Sequence, residues 1–360
     1  MENSNAILVC VTKSNKENPL DELALLAQTA GYTVVAQMSQ RRDYPDINYH
    51  IGKGKLKELA EFVQNLEAKT VIFDNDLTPR QFKNLEDRLG VDIMDRSELI
   101  LQIFAMHAVS NEGKLQVELA QKKHSLPRVL GQGLVLSRQG GGGAGGGGAR
   151  RGGGEQQLEL DRRTIRREIR DLEEKIEKIT RERRLRRERR QKSMAKVVSI
   201  VGYTNAGKST LMNTLTKADV LVENKLFATL DPVSRRLWLA PQKEFILVDT
   251  VGFISRLPHE FIDAFKSTLE ETQYADLILI VADGASPNLI KEYHVVKDVL
   301  KSIGADNIPA ITVINKIDLK APETLPDTEN IITISVKTGQ GIEELKEKIS
   351  LALFGEAIWD

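Results

Sequence analysis

Eight consecutive residues, Gly202-Tyr203-Thr204-Asn205-Ala206-Gly207-Lys208-Ser209, place two glycines, a cation and a hydroxyl at the spacing G-x-x-x-x-G-K-[ST]. That combination suits a polyphosphate. Glycines let the main chain wrap phosphate oxygens with its N–H groups turned inward, Lys208 can reach the β- and γ-phosphates, and Ser209 can offer an oxygen to Mg²⁺. Asn205, Ala206 and Thr210 complete the candidate phosphate-binding set. An apolar run, VVSIV, precedes the loop and a helical pattern follows it, which is the context the mechanism needs.

Three more motifs follow in order. Asp249 and Gly252, in LVDTVG, end an apolar run; the carboxylate can hold the Mg²⁺ shell and the glycine N–H can meet a γ-phosphate. Asn315, Lys316 and Asp318, in VINKID, resemble the guanine reader of GTPases, where a carboxylate accepts both N–H groups on one base edge. Adenine lacks that pair of donors, so Asp318 points to GTP over ATP. Ser335, Val336 and Lys337, in ITISVKTGQG, resemble the last base-contacting loop. Thr229, in LFATLDP, is the preferred switch threonine, with Thr210 and Thr250 as alternatives. The candidate catalytic set is therefore Lys208, Thr229 and Gly252, and the candidate Mg²⁺ ligands are Ser209, Thr229 and Asp249.

Around these residues the chain alternates strand-like and helical runs twice. AILVCV, TVVAQMS, TVIFDN and VDIMD, separated by helical patterns, predict an α/β domain over 1–112. A second α/β domain, doubly wound around the phosphate loop, is expected over 195–356. Between them, 113–194 reads as a long antiparallel helical hairpin whose Gly-rich tip spans 137–155. Its first helix is expected to begin near Ser97 and to stop near Pro127, because the residue before a proline resists the helical region. In its second, Ile165, Ile169, Leu172, Ile176 and Ile179 form a coiled-coil seam. The stretch FIDAFKSTL reads as a further helix of the second domain.

Net charge is zero over 360 residues, yet Arg150 to Lys192 carries 17 basic and 10 acidic residues. A local excess of this sign attracts a polyanion, and a solvated mixed-charge helix is the bland alternative. Cys10 is the only cysteine, which excludes an intrachain disulfide or cysteine-cluster metal site. The N-terminus lacks the charge pattern of a signal peptide, and no apolar run reaches the ~20 residues of a membrane span. A cytoplasmic, membrane-free monomer is expected.

YHIGKGKLKEL at 49–59, VIFDNDLTPRQFKNLE at 71–86, the run DIMDRSELILQIFAMHAVSNEGKLQVELAQ at 92–121, LSRQGGG at 136–142 and GEQQLELDRR at 154–163 resemble the HflX family of ribosome-associated GTPases. FATLDP and DTVGFIS strengthen the likeness. The resemblance implies an N-terminal α/β domain with a helical hairpin, a GTPase domain after it, and binding to ribosomal RNA of the large subunit. It further implies action on idle or stalled ribosomes, by splitting subunits or preventing their association, with release after hydrolysis of GTP to GDP. The hairpin tip would reach toward the peptidyl-transferase region, with Arg138, Arg150, Arg151, Arg162 and Arg163 as its RNA contacts. The end of the chain soon after its last helical pattern points to the shorter form found in archaea.

Some readings stay open. Phe253 stands where small signalling GTPases carry a water-positioning glutamine, so slow intrinsic hydrolysis is expected. Asn205 resembles the asparagine of K⁺-stimulated GTPases and is equally a turn asparagine. GKGK at 52–55 is a glycine turn opening a helix or part of a second, ATP-binding site serving RNA remodelling. Asp74 and Asp76 are candidate Mg²⁺ ligands there or solvated strand caps, and His50, His107 and His124 are too scattered for a metal site. A nucleotide-independent ribosome-silencing module is the third functional reading.

Overall fold

A computed structural model of the chain describes residues 4–13, 20–139, 151–191, 196–216, 226–227, 233–240, 243–256 and 272–356. It divides into two compact units, Met1–Met106 with Leu115–Ile176 and His107–Lys114 with Glu177–Asp360. The division falls within the second helix of the hairpin.

The first unit holds β1 (Ser4–Thr12), α1 (Leu20–Thr29), β2 (Tyr32–Arg41), α2 (Lys53–Asn65), β3 (Thr70–Phe73), α3 (Pro79–Leu89), β4 (Asp92–Asp95) and α4 (Arg96–His107). Its four strands are parallel in the order β2-β1-β3-β4. Both faces of such a sheet are covered, so β3 is a run of four buried residues, TVIF. Ile7, Val9, Leu59, Val71, Phe73, Phe82 and Leu85 share one core cluster. Each of these side chains contributes about 1.5–3 kcal/mol by leaving water. Local signals agree with the packing at α3: Thr78 and Gln81 form a reciprocal capping box, Pro79 opens the helix, and Gly90 closes it in the left-handed region.

Two expectations about the hairpin are corrected. The apolar pattern from Ser97 is two helices, because Ser110 caps a new one, α5 (Asn111–Gln139), by accepting the Gly113 N–H at 2.8 Å. That helix then passes through Pro127 and continues to Gln139. An interior proline costs about 3 kcal/mol, and anchors on both sides of it oppose that cost. His124 Nε2 lies 3.4 Å from Asp95, while Arg128 stacks 3.5 Å over the Phe82 ring and donates to Glu98 at 2.6 Å. The partner helix is α6 (Arg151–Gln191). Lys122 pairs with Glu168 and Lys123 with Glu173, each at 2.8 Å. Lys122 stands as far before the end of α5 as Glu168 stands after the start of α6, the relation an antiparallel pair requires. Of the expected seam, Leu172 is buried and Ile165, Ile169, Ile176 and Ile179 are half-buried, while Leu185 beyond it is exposed.

The second unit contains β5 (Lys196–Gly202), α7 (Lys208–Thr216), β6 (Val233–Ala240), β7 (Lys243–Asp249), β8 (Leu277–Asp283), α8 (Leu289–Ser302), β9 (Ala310–Asn315), β10 (Ile331–Thr333) and α9 (Ile342–Phe354). Strand order is β10-β9-β8-β5-β7-β6, parallel except for the antiparallel edge strand β6. Alternate residues of β5 and β8 feed two cores. Val198, Ile200, Leu277 and Leu279 pack with α7 and α9, whereas Val201, Ile278 and Ile280 pack with α8. Strand succession reverses direction at β5, so the crevice beyond the carboxyl ends of β5 and its neighbours is where a doubly wound sheet binds ligands. The helix expected at FIDAFKSTL lies outside the described residues.

Candidate active site

The phosphate loop leaves β5 at Gly202 and enters α7 at Lys208. Asn205 takes φ 62°, a left-handed conformation that asparagine tolerates, and its side chain is exposed. Gly207 follows at φ 92°, where a Cβ would lie 2.4 Å from Asn315 Nδ2. That close approach serves a purpose, since the same Nδ2 donates to the Ala206 carbonyl at 3.0 Å while Asn315 Oδ1 accepts from Val336 N–H at 3.1 Å. Asn315 therefore braces the phosphate loop against the 335–337 loop, joining three motifs that are far apart in sequence.

Lys208 is buried at 6% exposure, and its Nζ donates to the Tyr203 carbonyl at 2.9 Å. Burial pushes its pKa down to about 8, with the charge of Asp249 opposing that shift. Ser209 Oγ donates to Asp249 Oδ2 at 2.6 Å. A hydroxyl and a carboxylate oxygen side by side are the hard donors that Mg²⁺ takes, so these residues fit that ion. Gly252 stands where a Cβ would come within 3.0 Å of Lys208 Nζ and 2.9 Å of Thr204 Cγ2. Only a glycine lets this strand end approach the lysine so closely. Thr210 lies in the first turn of α7. Thr250 is fully buried and donates to the Ile200 carbonyl at 2.8 Å, a structural bond. Thr229 lies outside the described residues.

At the other end of the crevice, Ser335, itself fully buried, donates its Oγ to Asp318 Oδ1 at 2.7 Å and holds that exposed carboxylate. Lys316 takes φ 66° and donates to Asp283 Oδ2 at 2.7 Å. Lys337 is exposed beside them. Asp283, at the end of β8, escaped the sequence reading; the signal available was the D-G pair closing the apolar run LILIVA. Also missed was the stitching of the phosphate loop to the segment after β7. Thr204 N–H donates to the Phe253 carbonyl at 2.7 Å, Phe253 N–H to Gly202 at 3.0 Å, and Ser255 N–H to the Tyr203 hydroxyl at 2.7 Å.

Elsewhere the readings divide. Asp74 is no solvated cap: it is buried and accepts from Arg96 at 2.8 Å. Asp76 accepts from Ser97 Oγ at 2.9 Å. GKGK opens α2, with Gly52 as its N-cap. His124 does come together with Asp95 and Glu98, a ligand-like trio, but the Arg128 guanidinium already sits on Glu98. Of the candidate RNA contacts, Arg163 is exposed and pairs with Glu159 at 3.1 Å, and Arg162 lies 3.6 Å from the same carboxylate. Arg150, and the side chains of Arg138 and Arg151, lie outside the described residues.

A phosphate loop, a Mg²⁺-suited oxygen pair and an N-K-x-D motif at the strand ends of a doubly wound sheet make this unit a P-loop GTPase domain. Comparison with known proteins carries this to a family. Residues 17–105 match the model described as GTP-binding GTPase N-terminal, 107–190 the GTP-binding GTPase Middle Region, and 197–316 the 50S ribosome-binding GTPase. GTPase HflX of Caldanaerobacter subterraneus subsp. tengcongensis is 52% identical over 357 residues, covering 99% of this chain and 82% of the relative. GTPase HflX of Escherichia coli is 41% identical over 98% of this chain and 83% of its own length. Among solved structures, a GTP-binding protein from the archaeon Sulfolobus solfataricus in complex with GDP is 25% identical with a TM-score of 0.50, over 98% of this chain and 99% of that one. The chain belongs to the HflX family of GTPases and is a GTP hydrolase. Among the described residues no helix is long and apolar enough to cross a membrane.

Proposed function

We propose that this GTPase is a cytoplasmic monomer that binds the large ribosomal subunit through ribosomal RNA in its GTP form. There it splits subunits or prevents their association, and it leaves after hydrolysis. The observation that carries the reading is the bracing of the phosphate loop, through Asn315, against the base-reading loop of a domain whose family model is described as 50S ribosome-binding.

In this mechanism Asp318 and the 335–337 loop select guanine, and Asn315 couples that selection to the phosphate loop. Lys208 exchanges the Tyr203 carbonyl for β- and γ-phosphate oxygens; a buried ammonium gains strongly from an anion in place of a neutral carbonyl. Ser209 and Asp249, with Thr229, would hold Mg²⁺, which supplies charge neutralisation along the phosphates. Gly252 presents its N–H to the γ-phosphate. Phe253 is 2% exposed and belongs to the core beneath α8, so its side chain orders no water. Acceleration is left to the ribosome, and Asn205, exposed in the phosphate loop, would hold a K⁺ ion that adds positive charge there. Positively charged hairpin residues, Arg138, Arg150, Arg151, Arg162 and Arg163, neutralise RNA phosphates.

Sedimentation with large subunits in GTP analogue, GDP and no nucleotide tests the proposal. Binding favoured by the analogue, together with ribosome-stimulated turnover that is faster in K⁺ than in Na⁺, is expected. Equal binding in all three states and an unstimulated rate would overturn it.

A further inference from the structure

A second basic surface lies on the first unit. β1 and β2 run parallel with Thr12 opposite Arg41, so their carboxyl ends bring the main chains of Lys13, Arg41 and Arg42 together on strands about 4.8 Å apart. Arg42 turns toward the start of α2: its guanidinium lies 2.6 Å from where a Gly52 Cβ would be, and its Nε donates to the Tyr44 carbonyl at 3.2 Å. Lys13 Nζ hangs 5.8 Å from the centre of the Tyr44 ring. The first turn of α2 adds Lys53 and Lys55 and carries no acid. Among the described residues Lys13, Arg41, Arg42 and Lys53 make no ion pair, and only Lys55 is neutralised, by Glu58.

Like charges gathered at a helix end that is itself positive repel one another, and the fold holds them there with bonds to Tyr44 and room made by Gly52. Asp43 is the one carboxylate interspersed in the turn, while Asp46 is occupied by the Asn48 and Tyr49 N–H groups. Tyr44 is 80% exposed, a large aromatic ring with little of its face covered. Cations gathered at the carboxyl end of a sheet beside an exposed aromatic ring match single-stranded nucleic acid, whose phosphates seek the charges and whose bases stack on the ring.

We propose that Lys13, Arg41, Arg42, Tyr44 and Lys53 form an RNA-contact surface on the N-terminal domain, with Tyr44 as the stacking platform for an unpaired base. It rests on the ribosome reading for the choice of an RNA partner.

The test uses full-length protein and a fluorescein-labelled oligouridine 12-mer, read by polarisation across a KCl series, with a 12-base-pair RNA duplex and free ATP as competitors. Tyr44→Ala should weaken binding about tenfold and Tyr44→Phe should restore it. The double substitution Lys13→Gln, Arg41→Gln should lower the salt slope by about 1.4. An unchanged thermal midpoint and far-ultraviolet circular dichroism spectrum in all variants report intact folding. Variants binding the 12-mer as wild type does would overturn the surface; so would a duplex that competes as well as the single strand, or ATP at millimolar concentration that displaces the oligomer fully. Sedimentation with large subunits is run in parallel. Wild type failing to sediment defeats the ribosome reading, whereas wild type and variants sedimenting alike, with unaltered oligomer binding, defeats this surface alone.

Discussion

Ser209 Oγ and Asp249 Oδ2 are 2.6 Å apart, joining the first turn of α7 to the end of β7. In the proposed site this oxygen pair would hold the divalent ion beside the γ-phosphate. Replacing Asp249 with Asn leaves the shape but removes the one anionic side chain of the proposed donor set. GTP turnover by Asp249→Asn should need about 10–100-fold more Mg²⁺ for half-maximal rate. A Mg²⁺ titration of turnover checks this, and a curve superimposable on wild type would remove Asp249 from the ion's shell.

In the proposed base recognition Asp318 can act only if its carboxylate is held, and the buried Ser335 hydroxyl holds it. Asp318→Asn loses hydrogen bonds from two guanine N–H groups to a charged acceptor, about 3 kcal/mol or more, which is at least roughly a hundredfold in GDP affinity. Ser335→Ala removes only the orienting bond and should cost about fivefold. Calorimetric titration with GDP separates the two; equal losses would mean that Ser335 touches the nucleotide itself.

The convergence of the candidate nucleotide motifs was legible because β5, β7 and β9 end at Gly202, Asp249 and Asn315, so position along the sequence already implied position in the crevice. Its braces were not. Asp283 beneath Lys316 and the bond from Thr204 to Phe253 are tertiary relations that leave no spacing signature. The parallel sheets were legible from their apolar runs, whereas α5 was misjudged at both ends of its pattern. Ser110 is a local signal overlooked inside a continuous apolar stripe. Pro127 is a local signal outweighed, since the contacts of His124 and Arg128 with the domain exist only once the chain has folded.

Phe253 stands where a catalytic glutamine would be expected, yet it lies in the core with Val201, Ile280 and Tyr293. Phe253→Gln would bury an amide in an apolar cluster and lose the ring's packing, costing about 3 kcal/mol or more. The thermal midpoint, followed by calorimetry, should fall by several degrees, and single-turnover hydrolysis at a permissive temperature should not rise. A faster variant with an unchanged midpoint would show that the position faces the reacting water.

His124 sits where the hairpin meets the N-terminal domain, facing Asp95 from β4, Glu98 from α4 and Arg128 from its own helix, with Glu86 of α3 close to Arg128. Burial opposes its charge, but the bond and charge of Asp95 overcome that, and its pKa is raised. A raised folded value means the imidazolium's contribution to stability is fully present below the ordinary histidine range. It is lost as pH climbs through the folded pKa. His124→Gln should therefore cost about 1 kcal/mol in urea unfolding at pH 5.5 and markedly less at pH 8. Asp95→Asn should abolish that difference by leaving the imidazolium without its partner. A His124→Gln penalty that is the same at both pH values would show that the ring supports the helix by packing alone.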